Sequence, residues 1–224
     1  MNKTALILGS SGLVGSILLQ KLLNHSSYQH IIIVVRKSQQ IVHPKLIEIV
    51  TDFNSPISWE NFPKIDSIFS CLGTTRNKTP DLANYRKIEI EIPLQFCTIG
   101  LKQNLQKFHY ISSVGANKES RNFYLKMKGE AEHELIKQGI PHLYLYRPSL
   151  LIGNRKETRF GEDIGKFFAP LFNFLMIGAL SKYKSMKVEH LAESIIQYDL
   201  EETDKNLSIF AFREIMKNTK STSL

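Results

Sequence analysis

Tyr124 and Lys128 stand four residues apart within a helical apolar pattern, so they share one face of a helix. An ammonium beside a phenol stabilises the phenolate. A tyrosine whose unperturbed pKa is about 10 is thereby drawn toward values useful for proton transfer at neutral pH. The same lysine can donate to a nicotinamide ribose. Ser113 closes the apolar run Phe108–Ser113 and can reach a substrate oxygen beside that phenol. Taken alone, such a pair is more often a surface tyrosine packed on a lysine stem. Its place in the chain, after a glycine turn and a Ser-Ser strand end, reverses that weighting.

The glycine turn is the second chemical signal. Thr4 to Leu8 is an apolar run, and Gly9-Ser10-Ser11-Gly12-Leu13-Val14-Gly15 follows, with glycines at three-residue spacing and a helical pattern beginning at Leu13. Strand, tight turn and helix start in that order suit a pyrophosphate. One glycine takes a positive φ, one lets backbone approach phosphate, one packs helix on strand, and the bare helix N–H groups face the anion. Ile31 to Val35 then reads as a buried parallel strand ending at Arg36-Lys37, with no Asp or Glu nearby in the sequence. A cation at that strand end accommodates a ribose 2′-phosphate, so NADP(H) is expected ahead of NAD(H).

The elements that position these groups follow in order. Leu46–Val50 reads as a third strand, leading to Asp52, which can accept from an adenine amino group or cap the turn at Asn54, and to Phe53. Ser58–Lys64 reads as a covering turn or short helix. Ile65–Leu72 is a fourth strand whose following turn, Gly73-Thr74-Thr75-Arg76, lies where ligands bind in open α/β sheets. Leu82–Asn104 is helical with a kink or restart at Pro93, and Phe123–Gln138 is a helix stopped by Gly139 and Pro141. His142–Tyr146 is a sixth strand. Asp163–Met176 reads as a helical lid, Lys187–Leu200 as a helix entered from a short strand, and Leu207–Phe210 as a last strand, with a frayed tail from Lys217.

Composition narrows the class. The chain has 224 residues, 42% hydrophobic, with a net charge of +8, enough for a sizeable core and suited to anionic partners. The cations are scattered without a dense aromatic-interleaved block, so no nucleic-acid partner is expected. Cys71 and Cys97 make neither a disulfide framework nor a metal set; no metal is expected, and a reducing, cytoplasmic location is. The stretch Phe167–Leu180 is too short to span a bilayer and is broken by Pro170, Asn173 and Gly178. It reads as the wall of a covered pocket, with a peripheral membrane contact as the minority role.

Five segments in order resemble the short-chain dehydrogenase/reductases. They are Gly9–Gly15, Cys71-Leu72-Gly73-Thr74-Thr75-Arg76, Ser112-Ser113-Val114-Gly115-Ala116, Tyr124 to Glu130, and Tyr146-Arg147-Pro148. Together with Asn154–Arg159 they are similar to the atypical branch that includes the HIV Tat-interacting-protein-like oxidoreductases. The resemblance implies an α/β fold with a Rossmann-like doubly wound parallel sheet over 1–150. A small C-terminal substrate or lid region over 151–224 packs on it as one unit. It implies Tyr124 as general acid/base, Lys128 as its tuner and ribose ligand, and Ser113 as hydrogen-bond donor to the substrate oxygen, with Ser112 as the alternative hydroxyl. The expected cofactor contacts are Gly9, Ser10, Ser11, Gly12, Leu13, Val14 and Gly15, then Arg36, Lys37, Asp52 and Phe53. Leu72, Gly73 and Thr74 line the cofactor, Tyr124 and Lys128 touch it, and Pro148 and Leu150 pass near the nicotinamide. No residue matches the asparagine of typical members, and Asn84 is unassigned. His109 and His190 are read as structural and Cys71 as a packing residue. The expected activity is NADP(H)-dependent hydride transfer to or from a carbonyl or conjugated carbon of an apolar small molecule. The alternative is an NADP(H)-binding regulatory module. Homodimer formation through the helices from Leu82 and Phe123 is a further implication.

Overall fold

Burial of β-branched runs builds the centre of the molecule. The computed structural model describes residues 2–54, 63–153 and 184–218. Strands β1 (Lys3–Leu8), β2 (Tyr28–Val35), β3 (Leu46–Val50), β4 (Ser67–Ser70), β5 (Lys107–Ile111), β6 (His142–Tyr146) and β9 (Leu207–Phe210) form one sheet in the order β3-β2-β1-β4-β5-β6-β9. Every pairing is parallel. Ile31, Ile32 and Ile33 are wholly buried, as a strand covered on both faces requires. The fold is therefore the doubly wound, Rossmann-like sheet, and its strand order reverses between β1 and β4, where such sheets bind ligands.

Helices cover both faces. On one side lie α1 (Leu13–Leu23) and α5 (Val188–Leu200), whose Leu18, Leu22, Leu191 and Ile195 pack with Ile7, Ile31 and Ile33. On the other lie α2 (Leu82–Arg86), α3 (Ile92–Lys102) and α4 (Phe123–Ile136), where Tyr85, Phe96, Met127 and Leu135 meet Leu6, Ile32 and Phe108. The chain after residue 150 contributes to this sandwich directly, because α5 lies beside α1 and β9 extends the sheet from β6. A small parallel pair, β7 (Leu151–Ile152) with β8 (Met186–Lys187), leads into α5.

Two local features bear on the sequence expectation. Of the kink or restart expected at Pro93, the structure has the restart: α3 begins with Pro93 in its first turn, directly after a π-helical turn over Lys87–Glu91. Proline lacks the N–H an uninterrupted helix would need, and the wider turn absorbs the mismatch. The helix α6 (Phe212–Asn218), with Glu214 accepting from the Ala211 N–H and Ile215 fully buried, runs only two residues into the tail expected to fray from Lys217, and residues 219–224 lie outside the described residues. The expected lid over Asp163–Met176 and most of the covering turn at Ser58–Lys64 lie outside the described residues.

One buried carboxylate ties the sheet together away from the glycine turn. Asp199, in the last turn of α5, accepts from Lys3 Nζ (2.6 Å), Tyr28 hydroxyl (2.6 Å) and Ser67 hydroxyl, and its Oδ1 lies 3.1 Å from His109 Nε2. His109 is stacked between Phe69 and Tyr144 on neighbouring strands, with its Nδ1 3.0 Å from the Tyr146 hydroxyl. Burial pushes the His109 imidazole down, so the ring is neutral. Burial alone would raise the Asp199 carboxyl, but the hydrogen bond from His109 and the charge and hydrogen bond of Lys3 hold it well below the usual carboxylate range.

Both groups bind protons less readily folded than unfolded, so both make stability fall on acidification. The His109 part fades below about pH 6.5 and the Asp199 part below about pH 4. His109→Gln should cost roughly 1–3 kcal/mol at pH 7, and urea unfolding at pH 7 and pH 5 should show a smaller acid-induced drop than in the wild type.

Candidate active site

The glycine turn is built for close approach. Gly9 has φ +81°, and a Cβ there would lie 2.8 Å from the Cys71 carbonyl carbon, so the β1 turn abuts the end of β4. A Cβ at Gly15 would lie 2.2 Å from the Gly9 carbonyl oxygen. No side chain caps the amino end of α1 and no acid sits in its first turn, so its N–H groups stay free for an anion. These residues fit the pyrophosphate of a dinucleotide. Ser10 is buried, and the Gln39 side-chain amide donates to its hydroxyl.

Beyond β2 the chain folds back over this turn. Arg36 and Lys37 are exposed at the strand end. Glu48 on β3, remote in sequence, accepts from the Ser38 hydroxyl and from the Gln39 N–H (2.8 Å), so an acid does stand near this corner. Its oxygens are committed to the loop. Asp52 serves as the turn cap, accepting from the Asn54 N–H (2.8 Å) and side-chain amide (3.0 Å), while the Phe53 ring meets Phe96 edge-on.

At the carboxyl ends of β4 and β5 the catalytic candidates converge. Tyr124 is 37% exposed at the start of α4, whose Asn122 side chain caps the Leu125 N–H. Lys128, one turn on, is 3% exposed. Its ammonium lies 2.8 Å from Glu89 Oε2, donates to the Ile111 carbonyl at 2.8 Å, and reaches the Tyr110 hydroxyl at 3.4 Å. Burial would lower this amine, but the charge of Glu89 outweighs it and holds the pKa well above the ordinary lysine value, with Tyr110 and Tyr124 adding to the effect. Lys128 is thus a charged group on the same helix as an accessible phenol, one turn on from it. Burial pushes the Tyr110 phenol above its ordinary range, so Tyr110 holds its proton and Tyr124 is the phenol available to a ligand.

Glu89 is the site residue that sequence reasoning missed. It occupies the π-helical turn, 1% exposed, and its second oxygen accepts from the Thr74 N–H at 2.8 Å. The Tyr85 hydroxyl donates to the Thr74 carbonyl, so the Gly73–Thr74 turn after Leu72 is held from two sides. An acid between Ile88 and Ile90 in an apolar helical pattern was the available signal; its partner lies 39 residues away. Gly129 was also missed. A Cβ there would lie 2.2 Å from the Lys118 nitrogen, so the loop after β5 rests directly on α4.

The remaining candidates sort by accessibility. Ser112 is buried, with no hydrogen-bond partner for its hydroxyl among the described residues, whereas Ser113 is partly exposed and donates only to the Val114 carbonyl at 3.3 Å. Pro148 accepts from the Val114 N–H at 2.9 Å, and the Leu150 carbonyl accepts from Met186 at 3.0 Å. A paired Arg147–Glu132 contact (2.9 Å at Nε) joins this segment to α4. Burial pushes the Cys71 thiol up to about 12, which the Lys128 charge only partly offsets, so it is no nucleophile. Asn84 is exposed, its N–H donating to Asp81 at the start of α2.

A phosphate cradle at the sheet's switch point and a Tyr-Lys pair beside it define a dinucleotide-dependent enzyme of the short-chain dehydrogenase/reductase type. Residues 5–199 match the NAD dependent epimerase/dehydratase family, and the chain belongs to it. Among curated relatives it is 30% identical to Protein HTATIP2 of Rattus norvegicus over 76% of this chain and 72% of that one. It is 33% identical to Protein fmp52, mitochondrial, of Aspergillus niger over 74% of each. Its fold is similar to a UDP-N-acetylglucosamine 4-epimerase of Methanobrevibacter ruminantium (TM-score 0.70, 17% identity, covering 94% of this chain and 76% of that one). It is also similar to a UDP-glucuronic acid 4-epimerase of Bacillus cereus in complex with NAD (TM-score 0.65, 14% identity, covering 93% and 77%). The cytoplasmic expectation is corrected here, because the fungal relatives are named as mitochondrial proteins. Two unpaired thiols ask only for a reducing compartment and do not single out the cytosol.

Gly12 tests the cradle: a Cβ there would meet the Gly9 carbonyl oxygen at 3.2 Å, a tight backbone contact. Gly12→Ala should weaken NADPH binding by about tenfold or more, read by calorimetric titration on protein whose circular dichroism matches the wild type. Unaltered affinity would mean that phosphate does not approach here.

Proposed function

We propose that this chain is an NADP(H)-dependent oxidoreductase acting on a carbonyl or conjugated carbon of an apolar small molecule. The observation that carries the reading is the buried, charged Lys128 one helical turn from the accessible Tyr124 phenol. A surface tyrosine packed on a lysine stem would leave that ammonium in water; here it is desolvated and paired with Glu89. In this reading Tyr124 gives its proton to the substrate oxygen on reduction and takes it back on oxidation. Ser113 donates a hydrogen bond to the same oxygen, and Lys128 favours the phenolate that remains. The bound nicotinamide supplies or accepts the hydride. Pro148 and the Gly73–Thr74 turn border the space and limit water.

The preference for NADP(H) rests on the exposed cations Arg36 and Lys37 and on Glu48 being occupied by Ser38 and Gln39. A free acid at that corner would instead repel a 2′-phosphate. The apolar character of the substrate rests on the composition of 167–180.

Nicotinamide fluorescence should show NADPH binding tighter than NADH, and Arg36→Ala should weaken NADPH by about tenfold while sparing NADH. In a screen of aromatic and aliphatic carbonyls with NADPH, Tyr124→Phe should lower kcat by about 10²–10⁴ with NADPH affinity kept. Full activity in Tyr124→Phe would sink the reading and favour an NADP(H)-binding regulatory module.

A further inference from the structure

Arg76, in the loop after β4, is an exposed cation with an aromatic partner and no anionic one among the described residues. Its guanidinium carbon lies 4.8 Å from the centroid of the Phe123 ring. That ring is fixed in turn. Phe123 opens α4 one residue before Tyr124, and it meets Tyr85 edge-on with the ring centroids 5.0 Å apart. The Tyr85 hydroxyl donates to the Thr74 carbonyl. The Thr74 and Thr79 hydroxyls are hydrogen-bonded at 2.8 Å, and the Thr75 carbonyl accepts from the Lys78 and Thr79 N–H groups at 3.0 and 2.9 Å. Arg76 therefore stands in a turn closed at its base and rests on a ring anchored to that same turn.

A guanidinium laid over a ring uses its flat face there, and its N–H edge stays open to an oxyanion. Holding a long side chain in one place costs rotamer entropy that a merely solvated charge does not lose. The surrounding charge has the same sign. The loops after β4 and β5, residues 73–81 and 112–122, carry Arg76, Lys78, Lys118 and Arg121 against Asp81 and Glu119. Asp81 is engaged at the start of α2, where it accepts from the Asn84 N–H. The second loop leads into Tyr124, and the first is joined to the start of α4 through the Arg76–Phe123 contact. Cations thus outnumber acids on the two loops that adjoin the accessible phenol.

We propose that Arg76 is a specificity-determining residue of this site, whose N–H edge receives an oxyanion of the substrate while the substrate carbonyl faces Tyr124. The substrate class is then a carbonyl compound that bears a carboxylate or a phosphate. The inference rests on the reading of Tyr124 given above and adds the charge of the compound to it.

Equilibrium binding to the NADPH-loaded protein tests this without turnover. Octanoate, octyl phosphate and octan-1-ol share one apolar chain and differ in the head group. In calorimetric titrations at least one of the anions should bind about tenfold more tightly than the alcohol, and Arg76→Gln should remove that advantage. The anion that loses more identifies the group. Affinity for NADPH should be the same in Arg76→Gln as in the wild type. Lys102→Gln, which removes an exposed cation in the last turn of α3, should leave the binding of all three probes in place. Anions held no more tightly than the alcohol, or an advantage that survives in Arg76→Gln, overturn the proposal. An equal loss in Lys102→Gln does so too, as does weakened NADPH binding in Arg76→Gln, which would assign the guanidinium to the cofactor. Retained activity in Tyr124→Phe would refute the reading beneath, whereas these binding outcomes refute the assignment of Arg76 alone.

Discussion

A buried ammonium cannot stand alone, and much of the site follows from that constraint. Lys128 is desolvated beneath the carboxyl end of the sheet, where an unpaired charge is prohibitively costly, so the fold must bring an anion and further acceptors to it. Glu89, the Ile111 carbonyl and the Tyr110 hydroxyl meet that need from two other elements. Breaking the pair by removing one partner costs on the order of 3–5 kcal/mol, far more than any exposed ion pair of this chain. The π-helical turn is part of the same solution. It brings an acid from a helix that is otherwise apolar on its inner face, immediately before a proline that forces the helix to restart.

The opposite end of the sheet obeys the same rule with different groups. Asp199 gathers Lys3, Tyr28, Ser67 and His109, from four strands, onto the last turn of α5. This fastens α5 to the sheet, so α5 and β9, both beyond residue 150, are structural parts of the sandwich. The His109 ring, stacked among aromatic side chains and neutral, belongs to this clamp and lies apart from the reaction site. The two charge clusters divide the labour: one holds the sheet, and the other ties Lys128 of α4 to the Gly73–Thr74 turn through Glu89.

Local signals made the nucleotide half legible. Glycines at three-residue spacing between an apolar run and an amphipathic helix can be explained by few structures, and Gly9 and Gly15 sit where any side chain would collide with backbone. Continuous β-branched runs announced the parallel strands for the same reason: both faces are covered. Pairings between distant segments were not legible. Glu48 was invisible beside Arg36 because sheet register, which places β3 against β2, brings it there. Asp52 was left between two roles until the turn at Asn54 claimed its carboxylate.

The sequence by itself therefore determined the α/β class, the order of the strands in the chain, the phosphate cradle and the Tyr124–Lys128 pair. Each of these is written in residues fewer than about eight positions apart, within reach of a turn or two of backbone geometry. Tertiary structure alone decided which phenol is accessible, which serine is accessible, and which carboxylate compensates the lysine. Burial and charge pairing depend on what the fold brings across the sheet, and no local spacing encodes that.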